Sequence, residues 1–123
     1  MSHIVSIQAQ VKDAAAVRAA CKRLGLADPV QGTVKLFSGE ATGLAVQLPD
    51  WTYPVVADLA TGQLRYDNYN GRWGADDQLH KFMQMYAVEK CRIEARKAGR
   101  ILTEQTLADG SIKLVIQVAG GAT

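Results

Sequence analysis

Residues 4–11 alternate, with Val5, Ile7, Ala9 and Val11 on one side and Ser6, Gln8 and Gln10 on the other. A period of two predicts a strand with one buried face. Asp13 then offers a carboxylate to the free N–H groups of a helix start. Val17, Ala20, Cys21 and Leu24 follow at helical spacing, and Gly25 ends the run because it turns left-handed without a Cβ clash. Two strands are predicted at 34–37 and 44–48, and a second pair at 53–59 and 63–66, around Ala60-Thr61-Gly62. Asn70-Gly71 turns the chain again. Residues 76–98 form the longest helical pattern: Leu79, Phe82, Met83, Tyr86, Ala87 and Ile93 fall on one arc. Asp76 and Asp77 suit its positive end, and Arg96 and Lys97 its negative end. Gly99 stops it. A final hairpin joins 101–107 to 112–118, and Asp109-Gly110 predicts a type I′ turn.

This order predicts an α+β fold: a two-layer sandwich, with a mostly antiparallel sheet and two helices on one face, ferredoxin-like with extra hairpin strands. Residues 1–118 read as a single domain and 119–123 as a flexible tail. The second sheet face must meet water or a partner, and exposed edge strands allow a homodimer.

At 123 residues the chain can bury a core without metal or disulfide cross-links. A net charge of +2 supplies neither the basic stripe of a nucleic-acid binder nor an acidic tail. Cys21 and Cys91 fall in predicted helices without Cys-x-x-Cys spacing, which suggests reduced, buried thiols; a bond between them requires the helices to bring them into disulfide geometry. No secretion-type leader is apparent, and no window approaches the ~20 apolar residues of a membrane span. The expectation is a cytoplasmic protein without membrane association, cofactor or metal.

The densest group of recognition side chains is Tyr66-Asp67-Asn68-Tyr69-Asn70-Gly71-Arg72-Trp73-Gly74. Five of the eight aromatic residues lie between Trp51 and Trp73. Tyr, Trp and Arg are favoured at binding hot spots, so Tyr66, Asp67, Asn68, Tyr69, Arg72 and Trp73 form the candidate interaction surface. The plainer alternative is that the aromatics sit at a core edge while Asp67 caps the turn and pairs with Arg72. Lys90 falls inside the apolar arc of the long helix, near Met83, Tyr86 and Ile93. A desolvated lysine there could bind an anion or act as a base; otherwise its stem covers the core edge and Glu94, one turn on, neutralises it. Asp67, Asn68 and Asn70 resemble the start of a calcium loop, but the twelfth position is Gln78 rather than Glu. Asp50, Asp58 and Asp67 could converge only through the fold. His3 and His80 are not at ligand spacing, no Gly-x-Ser-x-Gly is present, and Gly39-x-x-x-Gly43 lacks the Lys-Ser/Thr of a phosphate loop.

The opening Met1-Ser2-His3-Ile4, the aromatic segment 66–74, Gln84-Met85-Tyr86-Ala87-Val88-Glu89-Lys90, Glu94-Ala95-Arg96-Lys97-Ala98-Gly99 and Asp109-Gly110-Ser111-Ile112-Lys113-Leu114, taken in order, resemble the domain-of-unknown-function family twelve-fifty-seven. Its relatives include a conserved chloroplast reading frame (number thirty-five) and cyanobacterial, bacterial and phage proteins. The resemblance spans nearly the whole chain and is most specific over 66–114. It implies a small protein without established catalytic residues, often encoded beside an AAA-type ATPase. The family's Tyr-Ala-x-x-Lys pattern falls on Tyr86, Ala87 and Lys90.

The leading expectation is therefore a non-enzymatic interaction or accessory domain with a protein partner, an AAA-type ATPase being the class the resemblance implies. The alternatives are a nucleic-acid-binding module that stacks bases on an aromatic sheet face, and a small-molecule binder or enzyme using Lys90.

Overall fold

The opening alternation yields a strand shorter than predicted, β1 (Val5–Gln8). Gln10 turns left-handed at φ 57°, and the N–H groups of Ala9 and Val11 both donate to the carbonyl of Gly62. The computed structural model describes residues 4–118; the expected tail at 119–123 and His3 lie outside them. The chain continues with α1 (Ala14–Arg23), β2 (Val30–Lys35), β3 (Glu40–Val46), β4 (Val55–Asp58), β5 (Gln63–Tyr66), α2 (Asp76–Lys97), β6 (Arg100–Thr106) and β7 (Ile112–Val118). β2 begins four residues earlier than its apolar run suggests, because Val30 to Lys35 are recruited by pairing with β3.

The strands β2 to β5 form an antiparallel meander, and β1 adds beside β5, giving the order β1-β5-β4-β3-β2. The expected ferredoxin-like layering of two helices on one face is what forms, but β1 lies at an edge of this meander. Among the described residues the extra hairpin does not join the sheet: β6 and β7 pair only with each other and ride on α2. Its turn is not type I′. Only Gly110 has positive φ, at 87°; its N–H donates to Leu107 O, and the Leu107 N–H to Ser111 O. These bonds close a five-residue loop in which one left-handed glycine suffices.

Period-two alternation divides the sheet's side chains between two clusters. Leu44, Val46, Val55, Ala57 and Leu64 face the helices and pack with Ala16, Val17, Ala20 and Cys21 of α1 and Leu79, Phe82 and Tyr86 of α2. Val88 and Ala95, one heptad apart, are buried as well, while Ala87 of the predicted arc is exposed. Ala95 lines a cleft with Ile116 of β7, so α2 is packed from the hairpin side too.

The other sheet face is not simply open. Leu36, Ala41, Ala45 and Val56 are buried there beneath Ile4, Val34 and Tyr53. Ile4 precedes the β1 edge, yet lies against Gly39 in the turn at the far side of the sheet. The sheet therefore curls around this second cluster.

Two charged groups clamp the hairpin and helices together. Glu89 is buried and accepts from Arg23 at 3.0 Å. Glu104 of β6 accepts from the same guanidinium at 2.8 Å and from Arg92. Each glutamate meets both arginines, so removal of one member leaves the others still paired.

Gly43 in β3 is a tight point. A Cβ there would collide with the Ala57 carbonyl, 2.9 Å from its carbon, and with Val56. Gly43→Ala is expected to cost about 1–3 kcal/mol, the usual overpacking penalty, read as a lower urea midpoint with an unchanged slope. An unchanged midpoint would contradict this close approach.

Candidate functional site

The 66–74 segment is a built loop rather than a two-residue turn. Tyr69–Gly71 forms a single 3-10 turn, with Tyr69 and Asn70 at φ 48° and 52°. Left-handed backbone is unfavourable for a bulky residue such as tyrosine, so neighbouring groups must hold it. Asp67 Oδ1 accepts the Tyr69 N–H at 3.3 Å. The Asn68 carbonyl accepts from both Gly71 (3.0 Å) and Trp73 (2.9 Å). The Asn68 side-chain amide donates to Gly74 O (3.1 Å) and to Asp76 Oδ1 (2.7 Å) at the start of α2. Asp67 and Asn68 are accordingly 1% and 4% exposed: they frame the surface rather than form it. Asp67 Oδ2 has no hydrogen-bond partner among the described groups.

Trp51 fixes the loop from beneath. Its indole N–H donates to Ala75 O at 3.1 Å, and its ring meets Tyr66 edge-on at 5.7 Å. Gly74 lies so close that any Cβ would enter the Trp51 ring. Tyr66 shares the helix-facing parity of Leu64 and packs against the main core. Burial first, and the nearby Asp76 second, raise its phenol pKa. It therefore does not stand on an open sheet face, as base stacking there requires.

The remaining residues come together outside. Trp73 is the centre: Tyr69 lies at 4.8 Å, Phe37 at 5.1 Å and Tyr53 at 5.7 Å between ring centroids, all tilted or edge-on. Such geometries suit the ring quadrupoles. Arg72 places its guanidinium carbon 5.0 Å from the Tyr69 ring centroid, a cation–π contact, and does not pair with Asp67. Phe37 is 57% exposed. Its place in the cluster was missed, since it lies on the β2–β3 turn, 36 residues before Trp73; a lone aromatic beside Ser38-Gly39 was its one signal.

Lys90 has a different position and use. It follows Asp76 by fourteen residues, about 21 Å along a helix axis, so it shares no cleft with the aromatic loop. Its ammonium donates to Asp13 Oδ2 at 3.1 Å and Glu94 Oε1 at 2.9 Å. One turn earlier, the Tyr86 hydroxyl accepts the backbone N–H groups of Lys12 and Asp13, each at 3.1 Å. Asp13 in turn accepts from Ala15 and Ala16 as the N-cap of α1. Tyr86 and Lys90 thus anchor the start of one helix to the side of the other. Hydrogen bonds to Glu94 and then to Asp13 push the Lys90 pKa up, opposite to what a lysine base needs.

Among the described residues, no three His, Cys, Asp or Glu side chains gather as a metal-holding group. Asp58 faces Arg65 at 3.8 Å, apart from the buried Asp67. Cys21 and Cys91 are both free, and burial pushes the Cys21 thiol up to about 11, leaving it protonated and inert. Among the described residues, no helix is long and apolar enough to cross a membrane.

Burial raises the Asp13 carboxyl pKa, but the Lys90 ammonium and the Ala16 and Ala15 N–H groups outweigh it, and the net shift is downward. A lowered folded pKa gives stability that is present above the unfolded value of 3.8 and is lost as pH falls through the folded one. Asp13→Asn keeps a capping oxygen but removes the charge. Its urea midpoint is expected to lie slightly below wild type at neutral pH, with the gap closing toward about pH 2. A gap that does not vary with pH would contradict the ionic role of Asp13.

No protein-family model, curated protein or solved structure matches the chain.

Proposed function

We propose that this chain is a non-enzymatic interaction domain that takes a protein partner on the surface built by Phe37, Tyr53, Tyr69, Arg72 and Trp73, with Tyr66, Asp67 and Asn68 as its frame. The observation that carries the reading is Phe37: an aromatic side chain 57% exposed, packed at a tilt against Trp73, which two tyrosines also meet. Exposed apolar groups that run together, rather than singly, mark interaction sites. Pre-packed aromatics and an arginine also lose little side-chain entropy on binding. An AAA-type ATPase is the partner class proposed, on the resemblance carried by segments 66–74 and 84–90.

A tagged copy recovered from its native host, with bound proteins identified by mass spectrometry, tests this. Phe37→Ser/Arg72→Ala alters only exposed groups and is expected to keep the wild-type melting temperature. Hot-spot truncations cost about 2 kcal/mol or more, so the variant should recover the partner at least about tenfold less. Equal recovery with both forms, or no protein partner with either, would contradict the proposal.

A further inference from the structure

Among the described residues, six large apolar side chains stand exposed, and four of them lie on the terminal hairpin: Ile101, Leu107, Val115 and Ile116. A two-stranded ribbon alone is marginal in water and needs a packed face or a further strand. The face carrying Glu104 is tied to Arg23 and Arg92. Ile101 and Val115 share the opposite face with Thr103.

β7 is the unguarded strand. Its sequence is Ile112-Lys113-Leu114-Val115-Ile116-Gln117-Val118, with one charge and no proline or glycine. Edge strands usually carry charges, prolines or bulges that block a further strand. Among the described residues nothing pairs with β7 on the side away from β6.

We propose that β7 is a self-pairing edge. Two copies of the chain join through it, antiparallel, across a two-fold axis at Val115, so that two ribbons become one continuous sheet. An axis perpendicular to the sheet keeps both helix-side faces together, which requires residues of equal parity to oppose each other. Centring on Val115 opposes Lys113 to the partner's Gln117, Leu114 to its Ile116, and Val115 to itself. No like charges oppose one another in this register, and the lone Lys113 meets an amide. On the helix side the partner's Leu114 covers Ile116, which is 48% exposed and borders a cleft of about 200 Å³ with Cys91, Ala95 and Ala98, which Lys90, Glu94 and Arg100 also line. A foreign strand would have to reproduce a pattern that the chain already supplies to itself. This interface uses none of the aromatic-surface residues, and it presents two such surfaces in one assembly.

Sedimentation velocity over a dilution series decides it. Wild type is expected to shift from monomer to dimer with concentration. Directly opposed residues lie about 5 Å apart, so Val115→Lys and Val115→Glu each place like charges across the axis. Each should sediment as a monomer, at least about tenfold weaker in association than wild type, with unchanged circular dichroism. Mixed in equal amounts, they face an ammonium with a carboxylate and should recover the dimer. Thr103→Lys, on the same face but on β6, should associate as wild type does. A wild type that stays monomeric, a Val115 variant that dimerises alone, or a mixture that stays monomeric would each overturn the proposal.

Discussion

The contact between Trp51 and Gly74 is the constraint on which the surface depends. A buried indole, 5% exposed, lies where any side chain at residue 74 would have to be. Its N–H is spent on the carbonyl of Ala75, just before α2. The β3–β4 connection is thereby fixed to the entrance of the long helix, and the Thr52 N–H, which donates to Trp73 O at 2.8 Å, adds a second tie. With both ends of the 66–74 loop held, Asp67 and Asn68 can turn inward and force Tyr69 and Asn70 into left-handed backbone. The outward display of Tyr69, Arg72 and Trp73 follows from that inward commitment. Polar burial at one layer creates aromatic exposure at the next.

A second set of contacts determines how the helices meet. Tyr86 and Lys90 lie one turn apart on α2 and address the same point, the first residues of α1. The hydroxyl serves backbone N–H groups, and the ammonium serves the capping carboxylate. Both side chains of the Tyr-Ala-x-x-Lys pattern thus have a structural use in this chain. The Arg23, Glu89, Arg92 and Glu104 cluster does the same at the hairpin. Here the ions decide which elements lie together, while the apolar clusters supply the driving force.

Much of this was legible from local pattern. The Asp13 cap, the bounds of α2, the meander strands and the final hairpin follow from period, cap and turn chemistry within a few residues of one another. What was not legible is non-local. Asn68 read as surface because of its side-chain type, and only the fold shows that Gly74 O and Asp76 consume it, whereas for Asp67 the turn cap, the plainer alternative, is what forms, without the Arg72 pairing. Phe37 joins Trp73 through the curl of the sheet, which leaves no mark in periodicity. Tyr66 looked like its neighbours Tyr69 and Trp73, yet strand parity turns it to the helices. The type I′ expectation failed because a five-residue loop needs only the one left-handed glycine. Lys90 was noticed for its place in the apolar arc, and Glu94 does pair with it as expected, but its second partner, Asp13, lies 77 residues earlier.

Residues 66–74 form an internally bonded platform and not a solvated loop. Native-state hydrogen exchange reads this directly, because the N–H groups of Gly71, Arg72 and Trp73 are all given internal acceptors, Asn68 O or Tyr69 O. The expected result is slow exchange at these three amides, comparable to the amides of β4 and β5 against which the loop is fixed. Exchange at the rate of an unprotected loop would contradict the account, and with it the pre-formed surface on which the proposed function rests.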